Sequence, residues 1–238
     1  MRQEKYEFTP WYRIEPEKCV IGEGITTVGR YAFYWPTHSI KSVHLPDTLQ
    51  EIGDFSFQQN SDLATIILPD GLERIGERAF LGCHALTSID IPESVTDLGK
   101  EAFYECRSAT SIYVPGSIKE IKDMTFSGCK AVVDITISEG VEIIGEGAFQ
   151  SIEAWEVVLP DGVKQIDDYA FNNAKKLTSI TIPDSVTEIG ERAFAWCSAL
   201  LRIHIGTGVI SIGINAFVVS KEKKFMLESE NETAWGYD

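Results

Sequence analysis

Five cysteines offer the strongest potential for chemistry in this sequence, because thiolates ligate zinc, form disulfides and act as nucleophiles. Four of them, Cys83, Cys106, Cys129 and Cys197, are spaced by 23, 23 and 68 residues. Zinc sites pair their cysteines within a few residues, so this spacing does not predict a metal site. Stacked residues of one row point the same way, which is a poor geometry for a disulfide. The spacing predicts buried free thiols, one per repeating unit.

Histidine and serine do not supply a catalytic site either. His44 and His204 share one position of the repeating unit, but they are expected to lie about 34 Å apart at the spacing of stacked strands. The serines recur in rows, whereas a catalytic triad needs three different residues that converge once. The sequence therefore predicts no cofactor, no metal site and no enzyme.

Two rows of carboxylates leave two interpretations open. The first row follows a recurrent proline and the second a recurrent glycine: Asp47, Asp70, Glu93, Glu139, Asp161 and Asp184, then Asp54, Glu77, Asp123, Glu146, Asp168 and Glu191. Stacked like charges could recruit Ca²⁺. Acids after proline also favour turns and suit the start of a short helical turn, and this structural interpretation is preferred.

A repeating unit of about 23 residues positions all of these side chains. Its clearest marker is a phenylalanine that recurs at intervals of 22 to 24 residues: Phe33, Phe57, Phe80, Phe103, Phe126, Phe149, Phe171, Phe194 and Phe217. Before a recurrent proline, apolar residues such as Ile89 and Ile91 alternate with polar ones, which predicts a short strand that the proline ends. The recurrent glycine, as at Gly99, suits a turn with positive φ. The Ala-Phe pair that follows indicates one helical or 3₁₀ turn.

Such a unit buries its apolar residues only against a neighbouring copy. The sequence therefore predicts a repeat solenoid of about nine coils. Short parallel strands form one face and turns with short helical segments form the other, which is an α/β-type architecture. Nine coils at strand spacing would extend over roughly 40 Å.

The pattern C-x-x-L-x-x-I-x-I-P-x-x-V-x-x-L-G-x-x-A-F, from Cys83 to Phe103, resembles the bacterial leucine-rich repeats of the BspA type. The resemblance implies a right-handed leucine-rich-repeat solenoid. It also implies adhesion at a cell surface, to matrix glycoproteins or other proteins of a host.

The array is predicted to span residues 20–219, with an N-terminal cap at 1–19 and a C-terminal cap or tail at 220–238. The units depart from the pattern where Ser138 replaces proline and near Trp155, where one residue is missing. A local change of curvature is expected there.

A formal net charge of −15 bears on the partners of the protein. So acidic a surface repels nucleic acid and anionic lipid, and no apolar run is long enough to span a membrane. The expected partner is a protein or glycoprotein, bound by a monomer. The chain is expected at the cell surface or secreted if a signal peptide has been removed, and in the cytoplasm otherwise.

The outward strand positions vary between units while the inward positions are nearly uniform. These variable positions are predicted to form the binding surface. The candidate residues are His44, Ile67, Asp90, Tyr113, Thr136, Val158, Thr181, Arg202 and His204. Two functions remain open: a non-enzymatic adhesion module, which is favoured, or an intracellular scaffold of the same fold.

Overall fold

The computed structural model describes residues 17–34 and 40–218, together with the backbone of 226–229. Most of the predicted N-terminal cap and nearly all of the predicted C-terminal cap or tail lie outside these residues. The division of the chain into caps and array therefore stays a prediction.

One row of parallel strands follows the alternating apolar residues of each unit. Its members are β1 (Lys18–Val20), β3 (Ser42–His44), β5 (Thr65–Ile66), β7 (Ser88–Asp90), β9 (Ser111–Val114), β11 (Asp134–Ile137), β13 (Glu156–Val158), β15 (Ser179–Ile182), β17 (Arg202–Ile205) and β19 (Met226–Ser229). Alternate side chains point inward and outward, and in β9, β11 and β17 every second residue is buried.

A second row of two-residue strands precedes the recurrent glycine. Its members are β2 (Thr27–Val28), β4 (Glu51–Ile52), β6 (Arg74–Ile75), β8 (Asp97–Leu98), β10 (Glu120–Ile121), β12 (Ile143–Ile144), β14 (Gln165–Ile166), β16 (Glu188–Ile189) and β18 (Ser211–Ile212). These nine strands delimit eight turns of a parallel β-solenoid. The parallel strands are confirmed. The ninth coil is not, because residues 219–225 and 230–238 lie outside the described part.

The third side of each coil is not helical, so the expected helical or 3₁₀ turn is absent from the described residues. In the unit around Phe103, Glu101 and Glu105 have φ values of 55° and 58°. Left-handed residues four positions apart prevent a helix from continuing. The N–H groups of Glu101, Phe103 and Glu105 instead donate to carbonyls of the next coil, over 2.8 to 3.0 Å. We call this stack of hydrogen-bonded turns the turn ladder.

The recurrent glycine is required by close backbone approach and not by positive φ, which corrects the expectation from the sequence. Gly53, Gly76, Gly99, Gly190 and Gly213 all have ordinary φ values. A Cβ atom at Gly99 would lie 2.3 Å from the backbone nitrogen of Glu77 in the preceding coil. Glycine therefore permits the close approach at these five positions, whereas Asp167 stands at the same position in another coil and donates its N–H to the Ile144 carbonyl at 2.8 Å.

The core is a set of continuous rows that run through the stack of coils. The recurrent phenylalanines form one row, in which adjacent rings are nearly parallel with centroids 4.9 to 5.8 Å apart. The four periodic cysteines form another row and are buried as free thiols. Each thiol donates a hydrogen bond to the carbonyl oxygen of the phenylalanine one coil earlier, as Cys106 does to Phe80. Every buried thiol is thus both packed and hydrogen-bonded.

We expect the stability of the wild-type protein to fall more steeply above about pH 9 than that of a Cys106→Ala variant. Burial raises the pKa of the Cys106 thiol well above its ordinary value, and the neighbouring Cys129 and Cys83 raise it further. Above about pH 9 the Cys106 thiol ionises in the unfolded chain but keeps its proton in the folded protein. Its contribution to the free energy of unfolding is therefore complete at neutral pH and declines as the pH rises. Above about pH 9 the free energy of unfolding of the wild type should fall by roughly 1.4 kcal/mol per pH unit more than that of the variant, as measured by urea unfolding at several pH values.

Alanine is a suitable replacement because Ala174 occupies the same position in another coil and is buried. Equal slopes for the two proteins would contradict a raised thiol pKa.

The strand rows are not continuous sheets. The first row is interrupted between β5 and β7 and between β11 and β13, and the second between β8 and β10. The interruption between β11 and β13 coincides with the shortened unit near Trp155. The change of curvature expected there stays a prediction.

Candidate functional site

The strand face is the surface formed by the outward side chains of the first strand row. All nine residues predicted from the sequence lie on it, and all are exposed except Tyr113, which is half-buried. Two apolar side chains are strongly exposed, with 83% of Ile67 and 67% of Val158 accessible to solvent. The inward residues of the same strands are almost all buried. The face therefore presents the part of each unit that is free to vary.

Strand register brings the candidate residues together in groups. Asp90 lies opposite Tyr113, which lies opposite Thr136. Val158, Thr181 and His204 form a second continuous group, and Arg202 lies in the same strand as His204. His44 belongs to the first sheet and Ile67 directly follows its last strand; this sheet is not paired with the second. The two interruptions therefore divide the predicted surface into three segments.

Tyr113 is held in a hydrogen-bond network that the sequence did not indicate. Its hydroxyl donates to Glu93 Oε1 and accepts a hydrogen bond from Ser138 Oγ at 3.2 Å. Ser138 also donates its N–H to the carbonyl oxygen of Val114, which a proline could not do. The loss of the recurrent proline thus gives Tyr113 a polar partner. Two hydrogen bonds to its hydroxyl hold the Tyr113 ring in place, so the side chain is preorganised for contact with a partner.

Sequence reasoning also missed three exposed apolar residues, Val133, Trp155 and Leu201. They occupy the position just before the strand, where other units carry Lys41, Ala64 or threonine. The Trp155 side chain is 58% exposed, and Lys176 Nζ lies 5.7 Å from its ring centroid. Large apolar side chains at a position that is otherwise small or polar were a detectable signal.

The outward face of the second strand row is electrically balanced in its first half. Arg74 forms ion pairs with Glu51 at 2.8 Å, with Asp54 at 2.7 Å and with Asp97 at 3.1 Å. Lys122 contacts the same Asp97 at 2.7 Å. Burial acts to raise the pKa of Asp97, but the hydrogen bonds and charges of Lys122 and Arg74 outweigh it and lower that pKa. These cations suit structure better than ligand binding, because their partners are carboxylates of adjacent coils.

The second half of the same face is acidic. A shallow depression of about 360 Å³ is lined by Asp167, Asp168, Glu188 and Glu191 among other residues. Burial raises the pKa of Asp167, and the charges of Asp168, Asp123 and Glu188 raise it further. Of the lining acids, only Glu191 has an ion pair, with Arg192 at 2.7 Å, among the described residues. On the described part of this face of the solenoid, carboxylates without a cationic partner are therefore concentrated in the C-terminal half.

Carboxylates of the two acidic rows serve as hydrogen-bond acceptors between coils. Asp54 Oδ1 accepts from the N–H of Glu77 at 3.0 Å, and Asp168 Oδ1 accepts from that of Glu191 at 2.6 Å. Asp184 Oδ1 does the same for Thr207 at 2.7 Å. Within the described ranges, no group of three or more His, Cys, Asp or Glu side chains is arranged to hold a metal ion. These contacts support the structural interpretation of the rows over calcium binding.

Comparison with protein families gives one match, and it covers most of the chain. The family model described as "BspA type Leucine rich repeat region" matches residues 26–154 and 119–234, with six copies of the repeat. No curated protein matches the chain by sequence. No helix among the described residues is long and apolar enough to cross a membrane.

The chain is similar to several solved structures of leucine-rich repeat proteins. A leucine rich cell surface protein from Faecalibacterium prausnitzii is 25% identical with a TM-score of 0.67, and the match covers 85% of this chain and 67% of that chain. The leucine-rich repeat protein TpLRR of T. pallidum is 24% identical with a TM-score of 0.48, over 88% and 79% of the two chains. A leucine-rich repeat protein from Eubacterium ventriosum is 20% identical with a TM-score of 0.44, over 95% and 85%. The family match and the F. prausnitzii structure agree with the repeat identified in the sequence.

Proposed function

Since the chain belongs to the family of BspA-type leucine-rich repeats, we propose that it is a non-enzymatic module that binds a protein or glycoprotein at a cell surface through its strand face. Repeat solenoids in general use their extended, repeated surfaces to bind other proteins. The F. prausnitzii protein with the same fold is described as a cell surface protein, which supports the location.

The observation that carries this proposal is the contrast between the two sides of each strand. In β9, β11 and β17 the inward residues are isoleucine or valine and are buried, whereas the outward residues differ from coil to coil. Folding explains the uniform side, because each inward residue fills the same slot in the stack. It does not explain Tyr113, Val158 or Arg202, whose types suit a contact surface.

We expect a variant with Tyr113→Ala, Arg202→Ala and His204→Ala to bind immobilised matrix glycoproteins at least about tenfold more weakly than the wild type. Tyrosine and arginine dominate the binding energy of many interfaces, and these three side chains lie in two of the three segments of the face. Biolayer interferometry of the purified protein measures the change. Circular dichroism checks that the variant is folded.

The matched control is Trp196→Ala. Trp196 is exposed but follows the recurrent phenylalanine, in the turn ladder and away from the strand face. We expect this variant to bind like the wild type. Loss of binding in Trp196→Ala alone would move the site to the turn ladder, and no binding to any glycoprotein would contradict the adhesion role in favour of an intracellular scaffold.

A further inference from the structure

Two residues of the core rows are partly exposed at one place on the strand face. Ile66 and Leu68 occupy the inward positions of their coil. The equivalent residues of the coils on either side, Val43 and Leu45 before and Ile89 and Ile91 after, are buried. The apolar row is therefore complete in sequence but is opened to solvent at this interior coil, as it is at Cys19 and Ile21 in the first described coil.

The opening arises because β5 and β7 do not pair. β5 is hydrogen-bonded to β3, and β7 is hydrogen-bonded to β9, so the two strands are edges of different sheets. The coils are still joined just before the strands, where the Thr87 N–H donates to the Ala64 carbonyl at 3.2 Å. Beyond that bond the two strands leave a cleft between them. Its apolar lining includes Ile66, Ile67, Leu68 and Leu86, and its polar lining is Thr65, Thr87, Ser88 and Asp90.

The size of the cleft restricts what it can hold. Its volume is about 270 Å³, below the range of roughly 300 to 1,000 Å³ that is usual for small-molecule sites. The cleft is also open along the strand face, and Ile67 projects from its rim with 83% of its surface exposed. These dimensions suit an apolar side chain of a macromolecule that lies along the face.

One carboxylate, that of Asp90, lines the cleft. Asp90 is exposed and forms no ion pair with a cation in the described part of the chain. Asp90 Oδ2 accepts a hydrogen bond from Ser88 Oγ at 2.9 Å, which holds that carboxylate beside the opening. A cationic group that docks next to an apolar one would find an unpaired carboxylate there.

We propose that this cleft between β5 and β7 is the anchor point of the strand face, and that it takes an extended protein segment with an apolar side chain next to lysine or arginine. The apolar side chain covers Ile66 and Leu68, and the cation lies against Asp90. The inference rests on the proposed function, because it specifies which part of the strand face binds and what chemistry the partner presents there.

The test uses the synthetic peptide Gly-Ser-Lys-Leu-Arg-Ser-Gly as a probe, with methyl-group NMR of the full chain as the measurement. We expect saturable shift changes at the methyl groups of Ile66, Ile67 and Leu68. Replacing the peptide's leucine by serine should weaken binding at least about tenfold, since burial of a leucine side chain supplies that much. Replacing its lysine and arginine by glutamate should abolish binding, because Asp90 and the net charge of −15 would repel the peptide.

Variants of the protein give the matched comparison. Ile67→Ser and Asp90→Asn alter exposed side chains at the cleft and should weaken peptide binding while the fold is kept. Ile210→Ser makes a comparable change to an exposed residue outside the strand face and should leave peptide binding unchanged. Shift changes centred on Val158 or His204, equal affinity for the serine peptide, or no saturable shift would each overturn the cleft assignment.

The outcome separates the two proposals. In one outcome the peptide does not bind at the cleft while glycoprotein binding still depends on Tyr113, Arg202 and His204. That result would overturn the anchor proposal and leave the adhesion role in place. Docking of the peptide at the cleft, without binding of any glycoprotein, would keep the anchor and overturn the adhesion role.

Discussion

A Gly99→Ala variant is expected to lose at least about 3 kcal/mol of stability, because the added methyl group has no space. Its Cβ atom would lie 2.3 Å from the nitrogen of Glu77 and 2.3 Å from the carbonyl carbon of Gly76. Both contacts are with backbone, so no flexible side chain can move aside. The N–H of Gly99 also donates to the Ile75 carbonyl at 2.8 Å, and this bond must lengthen as the coils separate. Urea unfolding followed by circular dichroism measures the loss.

Gly29→Ala is the matched control for this prediction. Gly29 occupies the same position in the first coil and has an ordinary φ, and none of the described residues lies within 4 Å of an added Cβ. Alanine there should be neutral or stabilise the protein by up to about 1 kcal/mol, because it restricts the unfolded chain. Equal stabilities of the two variants would show that close approach of the coils is not the reason for the recurrent glycine.

A Phe103→Ala variant is expected to lose about 3 to 5 kcal/mol, the cost usual for removing a fully buried aromatic ring. Phe103 is 1% exposed and lies between Phe80 and Phe126, with ring centroids 5.1 and 5.8 Å away. Each coil of a solenoid is stabilised mainly by its two neighbours, so a cavity in the middle weakens two interfaces at once. The urea transition should move to lower concentration and broaden as the two halves cease to unfold together.

Phe55→Ala is the matched control, because it removes the same side-chain atoms from a phenylalanine that lies outside the stacked row of the core. Phe55 is half-buried and stacks on Tyr31, with centroids 4.9 Å apart. Its loss should cost only about 1 kcal/mol, the usual contribution of one aromatic pair. A similar cost for both variants would mean that the stacked row does not carry the stability assigned to it.

Periodicity predicted most of the fold because each unit needs the same inward residues to fill the same slots. The parallel strands, the stacked phenylalanines and the inward cysteines all follow from that requirement. The turn ladder could not be predicted in the same way. Residues such as Arg78 and Glu101 adopt left-handed conformations that their types disfavour, and hydrogen bonds to the next coil offset the cost. Those hydrogen bonds join residues of neighbouring coils, so the sequence of a single unit does not indicate them.

The candidate site was predictable in position but not in organisation. Outward placement of all nine residues follows from the two-residue period of a strand. The interruptions of the sheet do not, because Ile66 and Leu68 have the same apolar types as their buried counterparts in adjacent coils. The partners of Tyr113 come from two other coils, so no spacing within one unit indicates them.

The direction of the backbone bonds between coils determines how this protein responds to a pulling force. Bonds such as those from Phe80 to Ala102 and from Gly99 to Ile75 join neighbouring coils, so they run along the axis of the stack. Tension between the two ends of the chain loads these bonds one coil at a time and not all together. Each coil that opens releases roughly 75 Å of extended chain while its neighbours stay folded. A molecule held at one end and bound at the other would lengthen in steps of one repeat.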